Sequence, residues 1–192
     1  MDLKLIEKIL KEAMLDCRSR ATTIVPEENK KKLHSQWSSA WVEKIADGLR
    51  NEFPESEGYR VFSRGYKENK KSFLLSEYLF DVTVIKVAEM NSASGKAKLE
   101  FPEETILHVE SEFQSNDSRA SIVDFGKLLM SAAENKLLIL PSGGRIEAWA
   151  KQELARISDK CTGDFYLAFV PHPREWADED KAPEVQLQKC RI

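Results

Sequence analysis

What the chain has little of narrows its class before any motif is considered. It has three cysteines, Cys17, Cys161 and Cys190, an odd number set far apart. They fit neither a disulfide framework nor a zinc site, so a reducing, cytoplasmic setting is the expectation. Only 8 glycines and 7 prolines occur in 192 residues, which excludes collagen-like and low-complexity chains. No apolar run approaches the roughly 18 residues a membrane helix needs. The opening segment MDLKLIEKILKEAML carries a charge every few residues and is no signal peptide. Neither sign of charge dominates: 29 Lys and Arg stand against 32 Asp and Glu, a net charge of −3. That speaks against a sequence-blind nucleic-acid coat, but not against an enzyme that meets phosphate through a bound cation. With 42% apolar residues the chain can build a core without staples.

Periodicity then sets the elements. Leu3, Ile6, Ile9, Leu10, Ala13 and Met14 share a helical face over 2–15. The stretch IVPEENKKKLH reads as a polar connection, with Lys30–Lys32 a solvated run. Trp37, Trp41, Ile45 and Leu49 mark a second helix over 35–53; its tryptophans could stack on bases, but core packing is the simpler reading. GYRVFSR predicts a short strand and KKSFLLSEYLFDVTVIKV a long one. ETILHVESEF follows after a loop, and these strands should pair antiparallel. SNDSRASIVDFGKLLMSAAENK predicts a helix capped by Asn116 or Asp117, with Ile122, Phe125, Leu128, Leu129 and Ala132 facing the sheet. The apolar KLLIL should run parallel to its predecessor through a right-handed crossover. A helix from SGG to about Ser158, the strand DFYLAFV and a charged tail from Pro171, mobile or docking, complete the chain. The expectation is one domain over 1–192, α/β, with a mixed central sheet flanked by helices.

Three acids stand out against this frame. Alternation puts Glu77, Asp81 and Thr83 on one face of the long strand, amid apolar neighbours. An ionised Asp there costs several kcal/mol unless paired or bound to metal. In the next strand His108, Glu110 and Glu112 line one face and Leu107, Val109 and Phe113 the other. Carboxylates at i and i+2 lie roughly 6.5–7 Å apart at the α-carbons. Brought near Asp81 they would raise one another's pKa unless a divalent cation neutralised them. Oxygen-only ligands suit Mg²⁺ or Mn²⁺ rather than zinc. The plain alternative for Glu110 and Glu112 is the solvated face of an antiparallel sheet. For Glu77 a rim ion pair and metal ligation are equally open.

An Asp in one strand (LFDV), then Glu-X-Glu in the next (HVESEF) and then a helix resembles the PD-(D/E)XK nuclease superfamily. The resemblance covers roughly 35–140 and implies a restriction-endonuclease-like αβββαβ core. The N-terminal helix and connection (1–34), an αβ extension (141–170) and the tail (171–192) lie outside that core. The resemblance implies that Asp81 and Glu110 bind Mg²⁺. Glu112 stands where most members have a lysine and would serve as general base or further metal ligand. In some members that lysine has migrated to the following helix, where Lys127 stands; a lone helical lysine is otherwise a surface residue. An acid from the first core helix often joins the site, here Glu43 or Glu52. The implied activity is Mg²⁺-dependent cleavage of nucleic acid, DNA rather than RNA, and homodimers are common in the superfamily. The rivals are a catalytically inactive nuclease-like fold that binds nucleic acid or protein, and an unrelated interaction protein whose three acids lie far apart.

Lesser candidates surround this set. Gln114 continues the face of Glu110 and Glu112 and could touch the scissile phosphate. Lys70 and Lys71, with Arg64 and Lys67, either steer a phosphate backbone or solvate a hairpin. His34, His108 and His172 have no metal spacing. Ser142-Gly143-Gly144 precedes a helix but lacks the Lys-Ser/Thr of a phosphate loop, which favours a plain turn.

Overall fold

The computed structural model describes residues 1–21, 30–114, 118–178, 180 and 184–190. Helix α1 spans Leu3–Ala21 and α2 spans Lys30–Glu52, both longer than their apolar stripes predict. Strand β1 (Tyr59–Ser63) leads to a helical turn, α3 (Lys70–Phe73), then to β2 (Val82–Asn91) and β3 (Lys98–Ser111). Helix α4 (Ser118–Met130) connects to β4 (Asn135–Pro141). Helix α5 (Gly144–Trp149) continues through a π-helical turn, Ala150–Leu154, and Ala155–Ile157. Strands β5 (Asp164–Val170) and β6 (Gln186–Cys190) close the sheet. Lys30–Lys32 belong to α2, but their side chains, like the capping candidates Asn116 and Asp117, lie outside what is described.

The six strands lie in sequence order, β1-β2-β3-β4-β5-β6. The first three pair antiparallel, β3, β4 and β5 run parallel, and β6 is antiparallel to β5. Direct succession gives the antiparallel pairs of β1, β2 and β3 and the α4 crossover gives the parallel β3–β4 pair, as expected, and the α5 segment likewise returns β5 parallel to β4. Two cores sandwich the sheet. On one face Val82, Val84, Val109, Leu137 and Ile139 pack against Leu10, Met14, Trp41 and Ile45 of α1 and α2. On the other, Leu138, Leu140, Phe165 and Leu167 meet Phe125 and Leu128 of α4 and Ile146 and Leu154 of the α5 segment. Strand β4 is buried at every residue because it is covered on both sides, which explains the unbroken apolar run. Lys136, at its start, is fully buried and donates to the carbonyls of Ala133 (2.6 Å) and Thr162.

Three expectations are corrected. The long strand does not begin at Lys70. Residues 70–73 are helical, Leu74 and Leu79 adopt left-handed φ of 63° and 67°, and both side chains point to solvent. Aromatic anchoring overrides alternation here: Phe73 and Tyr78 pack on Phe62, and Phe80 stacks on His108 at 3.8 Å between ring centroids. Helix α4 stops at Met130, so Ala132 lies beyond it, and Ile122 on its surface is exposed while Phe125 and Leu128 are buried. The segment after Pro171 is neither free nor merely docked, because β6 is part of the sheet. Trp176 is fully buried, 5.9 Å from Trp41 and 6.0 Å from Phe113 between ring centroids. Its indole N–H donates to the Pro171 carbonyl at 2.6 Å. No helix among the described residues is long and apolar enough to cross a membrane.

Trp176 therefore joins the C-terminal segment to α2 and to the end of β3. Trp176→Ala is expected to destabilise the protein by about 3–5 kcal/mol in urea denaturation. A loss under about 1 kcal/mol would show that the segment contributes little to the core.

Candidate active site

The acids gather at one end of the sheet, where β2 begins and β3 ends. Asp81 immediately precedes β2, and Val82 pairs with Val109, which brings the Asp81 carboxylate beside the last residues of β3. Its Oδ2 accepts from the backbone N–H of Ser111 at 2.9 Å. Asp81 is half-buried, not enclosed within a strand as alternation predicts. Burial pushes its carboxyl up to about 6 against the lowering effect of that hydrogen bond, with the charges of Asp124 and Glu77 adding to the rise.

Glu110 points to the opposite side of β3 from Val109, toward α4, and is 2% exposed. Lys127, on α4, reaches it: Nζ lies 2.7 Å from Glu110 Oε1 and 2.7 Å from Asp124 Oδ1. Burial raises Glu110 to about 8, with the Lys127 hydrogen bond working downward and the charges of Asp81 and Asp124 upward. For Lys127 burial works downward, but its bonds to Asp124 and Glu110 outweigh it and the ammonium is held above its ordinary value. Glu112 falls just past β3, half-buried, and accepts from the Gln114 N–H at 2.6 Å. Burial raises its carboxyl too, and the field of Asp124 reaches it as it does Asp81 and Glu110. The three predicted acids thus share one neighbourhood, with a fourth, Asp124, that the strand-centred reading missed. Its signal was its place one helical turn before Lys127.

On the α2 side Asp81 borders a cavity of about 350 Å³ lined also by Ser38, Glu43, Arg64, Glu77 and Ser111. This separates the two first-helix acids. Glu43 faces the cavity and is held by the Ser63 hydroxyl at 2.7 Å and by the Gly65 N–H. A Cβ at residue 65 would lie 2.5 Å from the Glu43 carboxyl carbon, so a larger residue there would push the carboxylate out of this position. Glu52 instead pairs with Lys8 at 3.1 Å.

Other predicted residues lie apart. Lys70 and Lys71 are exposed on α3, Lys71 pairs with Glu68, and neither lines the Asp81 cavity. Glu77 lines it but is exposed. The Gln114 side chain is exposed, so its tie to the site runs through the backbone. His108 is stacked under Phe80, and burial lowers it to about 4. The Gly143 N–H is taken by the Glu147 carboxylate, so Ser142-Gly143-Gly144 is a turn closed on its own helix.

No protein family, curated protein or solved structure matches the chain. Among the described residues no three His, Cys, Asp or Glu side chains converge on a single metal position. The donors are nevertheless those of a hard cation. Asp81, Glu110 and Asp124 offer oxygen alone, and one ammonium faces more than one carboxylate. A divalent ion on Asp81 and Glu110 would offset the burial that chiefly raises both carboxyls, and the neighbouring negative charges that add to it.

A pH dependence follows. Glu110 has its folded value near 8, above its ordinary 4.5, so the folded chain holds the extra proton between these limits. The stabilisation is complete at low pH and is lost as pH rises through 8. Glu110→Gln keeps an acceptor for Lys127 and removes the titration. Between about pH 5 and pH 9 its stability in metal-free buffer should improve relative to wild type by about 1 kcal/mol or more. Parallel urea midpoints at both pH values would contradict the assignment.

Proposed function

We propose that the chain is a metal-dependent nuclease of the PD-(D/E)XK kind, hydrolysing phosphodiester bonds in nucleic acid, DNA in the first instance. The observation that carries the reading is the reach of Lys127 from α4 to Glu110 on β3, beside Asp81. Glu-X-Glu lacks the usual strand lysine, and a helix-borne ammonium at 2.7 Å supplies one from the position some members of that superfamily use. From α2 onward, helix, three antiparallel strands, helix and a parallel strand follow the αβββαβ order of that core.

In this reading Asp81 and Glu110 hold Mg²⁺ or Mn²⁺, which when bound supplies Lewis acidity and a more acidic water. Glu112 accepts the proton of the attacking water, a role its raised carboxyl suits better than an ordinary Glu would. Water attacks phosphorus, the bond to the leaving sugar oxygen breaks, and that oxygen departs protonated from solvent. Lys127 is held charged by Asp124 and Glu110, which makes it a poor base and a good electrostatic partner for the pentacoordinate phosphate. Glu43, facing the cavity from α2, positions the loop carrying Arg64.

A second reading, a nuclease-like fold kept as a binding module for nucleic acid or protein, draws on the same lysine, because its ammonium already balances Glu110 without a metal. The two readings separate experimentally. A nuclease should bind Mn²⁺ in calorimetric titration at about pH 8, and Asp81→Ala should abolish both the binding heat and DNA cleavage while leaving the melting temperature nearly unchanged. Lys127→Met should retain Mn²⁺ binding, yet lose at least about 100-fold in cleavage rate. Absence of metal binding in the wild-type protein would favour the binding module, and absence of metal-dependent cleavage of any DNA or RNA would sink the enzymatic reading.

A further inference from the structure

The parallel strands leave a second, larger feature at the same end of the sheet. Strands β3, β4 and β5 all point toward it, and beyond the ends of β4 and β5 lies a cavity of about 720 Å³. Crevices outside the carboxyl ends of parallel strands are where α/β sheets take ligands. This one is lined by Ser118 at the start of α4, Ser142, Arg145 and Trp149 around α5, and His172 and Arg174 after β5.

Its chemistry is specific. Arg145 is exposed and makes no hydrogen bond or ion pair among the described residues. The Arg174 side chain is half exposed, and its partner Glu175, which also lines the cavity, stands 3.9 Å away, at the limit of an ion pair. His172 carries no charge to the site: its Nδ1 accepts from the Arg174 N–H at 3.1 Å, and burial lowers its pKa. Trp149 is half-buried against the α4 and α5 core and completes the wall with aromatic surface. Two guanidiniums about an open cavity with an indole in its wall match how single strands are held, phosphates by arginine and bases by stacking. A carboxylate ligand would use the arginines but not the ring.

We propose that this cavity seats a nucleic-acid strand, with Arg145 and Arg174 on backbone phosphates and Trp149 against an unpaired base. The choice of a polynucleotide rests on the nuclease reading. A strand held there would lie along the sheet end that also carries Asp81 and Glu110, so the cavity would fix where along the strand the acids act.

The test is anisotropy titration of a labelled single-stranded DNA oligonucleotide, and of its RNA counterpart, in metal-free buffer. The double variant Arg145→Gln/Arg174→Gln changes exposed side chains, and its melting curve checks the fold. It should bind at least about 10-fold more weakly, with the salt slope reduced by about 1.4 for two lost phosphate contacts. Trp149→Leu should weaken binding with the salt slope unchanged. Metal-free buffer keeps the acidic site out of the measurement, and Lys11→Gln, which removes an exposed cation of α1 outside the cavity, should bind like wild type. Unchanged affinity and slope in the double variant would overturn it, whatever the cleavage assays give. So would protection of the wild type by inorganic phosphate without oligonucleotide binding, the mark of a small-anion site.

Discussion

A carboxylate buried on a sheet and met by an ammonium from a crossing helix is the constraint on which the rest of the site depends. Glu110 is removed from water by the packing of α4 against β3, and Lys127 comes from that same helix. Burial and partner are therefore consequences of one docking event. Such pairs contribute little net stability, because desolvation offsets most of the attraction, but without Lys127 the Glu110 carboxyl could ionise only as an unpaired buried charge. Helix α4 is thus held to one register on the sheet: a shift by one residue would carry Lys127 and Asp124 together away from Glu110.

The sheet order makes this possible. A three-stranded meander places the start of β2 beside the end of β3, so Asp81 and Glu110, nearly thirty residues apart, share one end. The crossover to β4 returns the chain parallel, and α4 must lie across the face on which Glu110 points. The antiparallel hairpin brings the acids, and the parallel crossover brings the cation. The same geometry leaves a crevice past β4 and β5 at that end, with exposed arginines in place of buried acids.

Much of this was legible in residue patterns, and the failures have a common cause. The main helices, the antiparallel start of the sheet and the parallel return of β4 followed from apolar period and direct succession, signals that depend on near neighbours, whereas α3 and β6 did not. Asp81, Glu110 and Glu112 stood out because a charge among apolar residues is anomalous on its own, although Asp81 precedes its strand rather than lying inside it. What misled was extrapolation of alternation through 70–81, where Phe73, Tyr78 and Phe80 are claimed by distant aromatic partners and the backbone turns at Leu74 and Leu79 to satisfy them. The C-terminal segment reads as a mere charged tail for the same reason: nothing in PHPREWADED shows that its one large ring reaches Trp41.

The sequence by itself determined the layered α/β class and the antiparallel start and parallel return of the first four strands, and it singled out Asp81, Glu110 and Glu112 as anomalous, because burial period and charge cost act locally along the chain. Tertiary structure alone decided which cation meets them, which first-helix acid faces them and which basic residues do not. Glu43 and Glu52 are alike in sequence, as are Lys71 and Lys127. Glu43 and Lys127 matter because packing carries them to the end of the sheet where Asp81 stands, while Glu52 is spent on Lys8 and Lys71 on Glu68. Electrostatic partnership falls off with distance in space, and distance in space is what a linear pattern does not record.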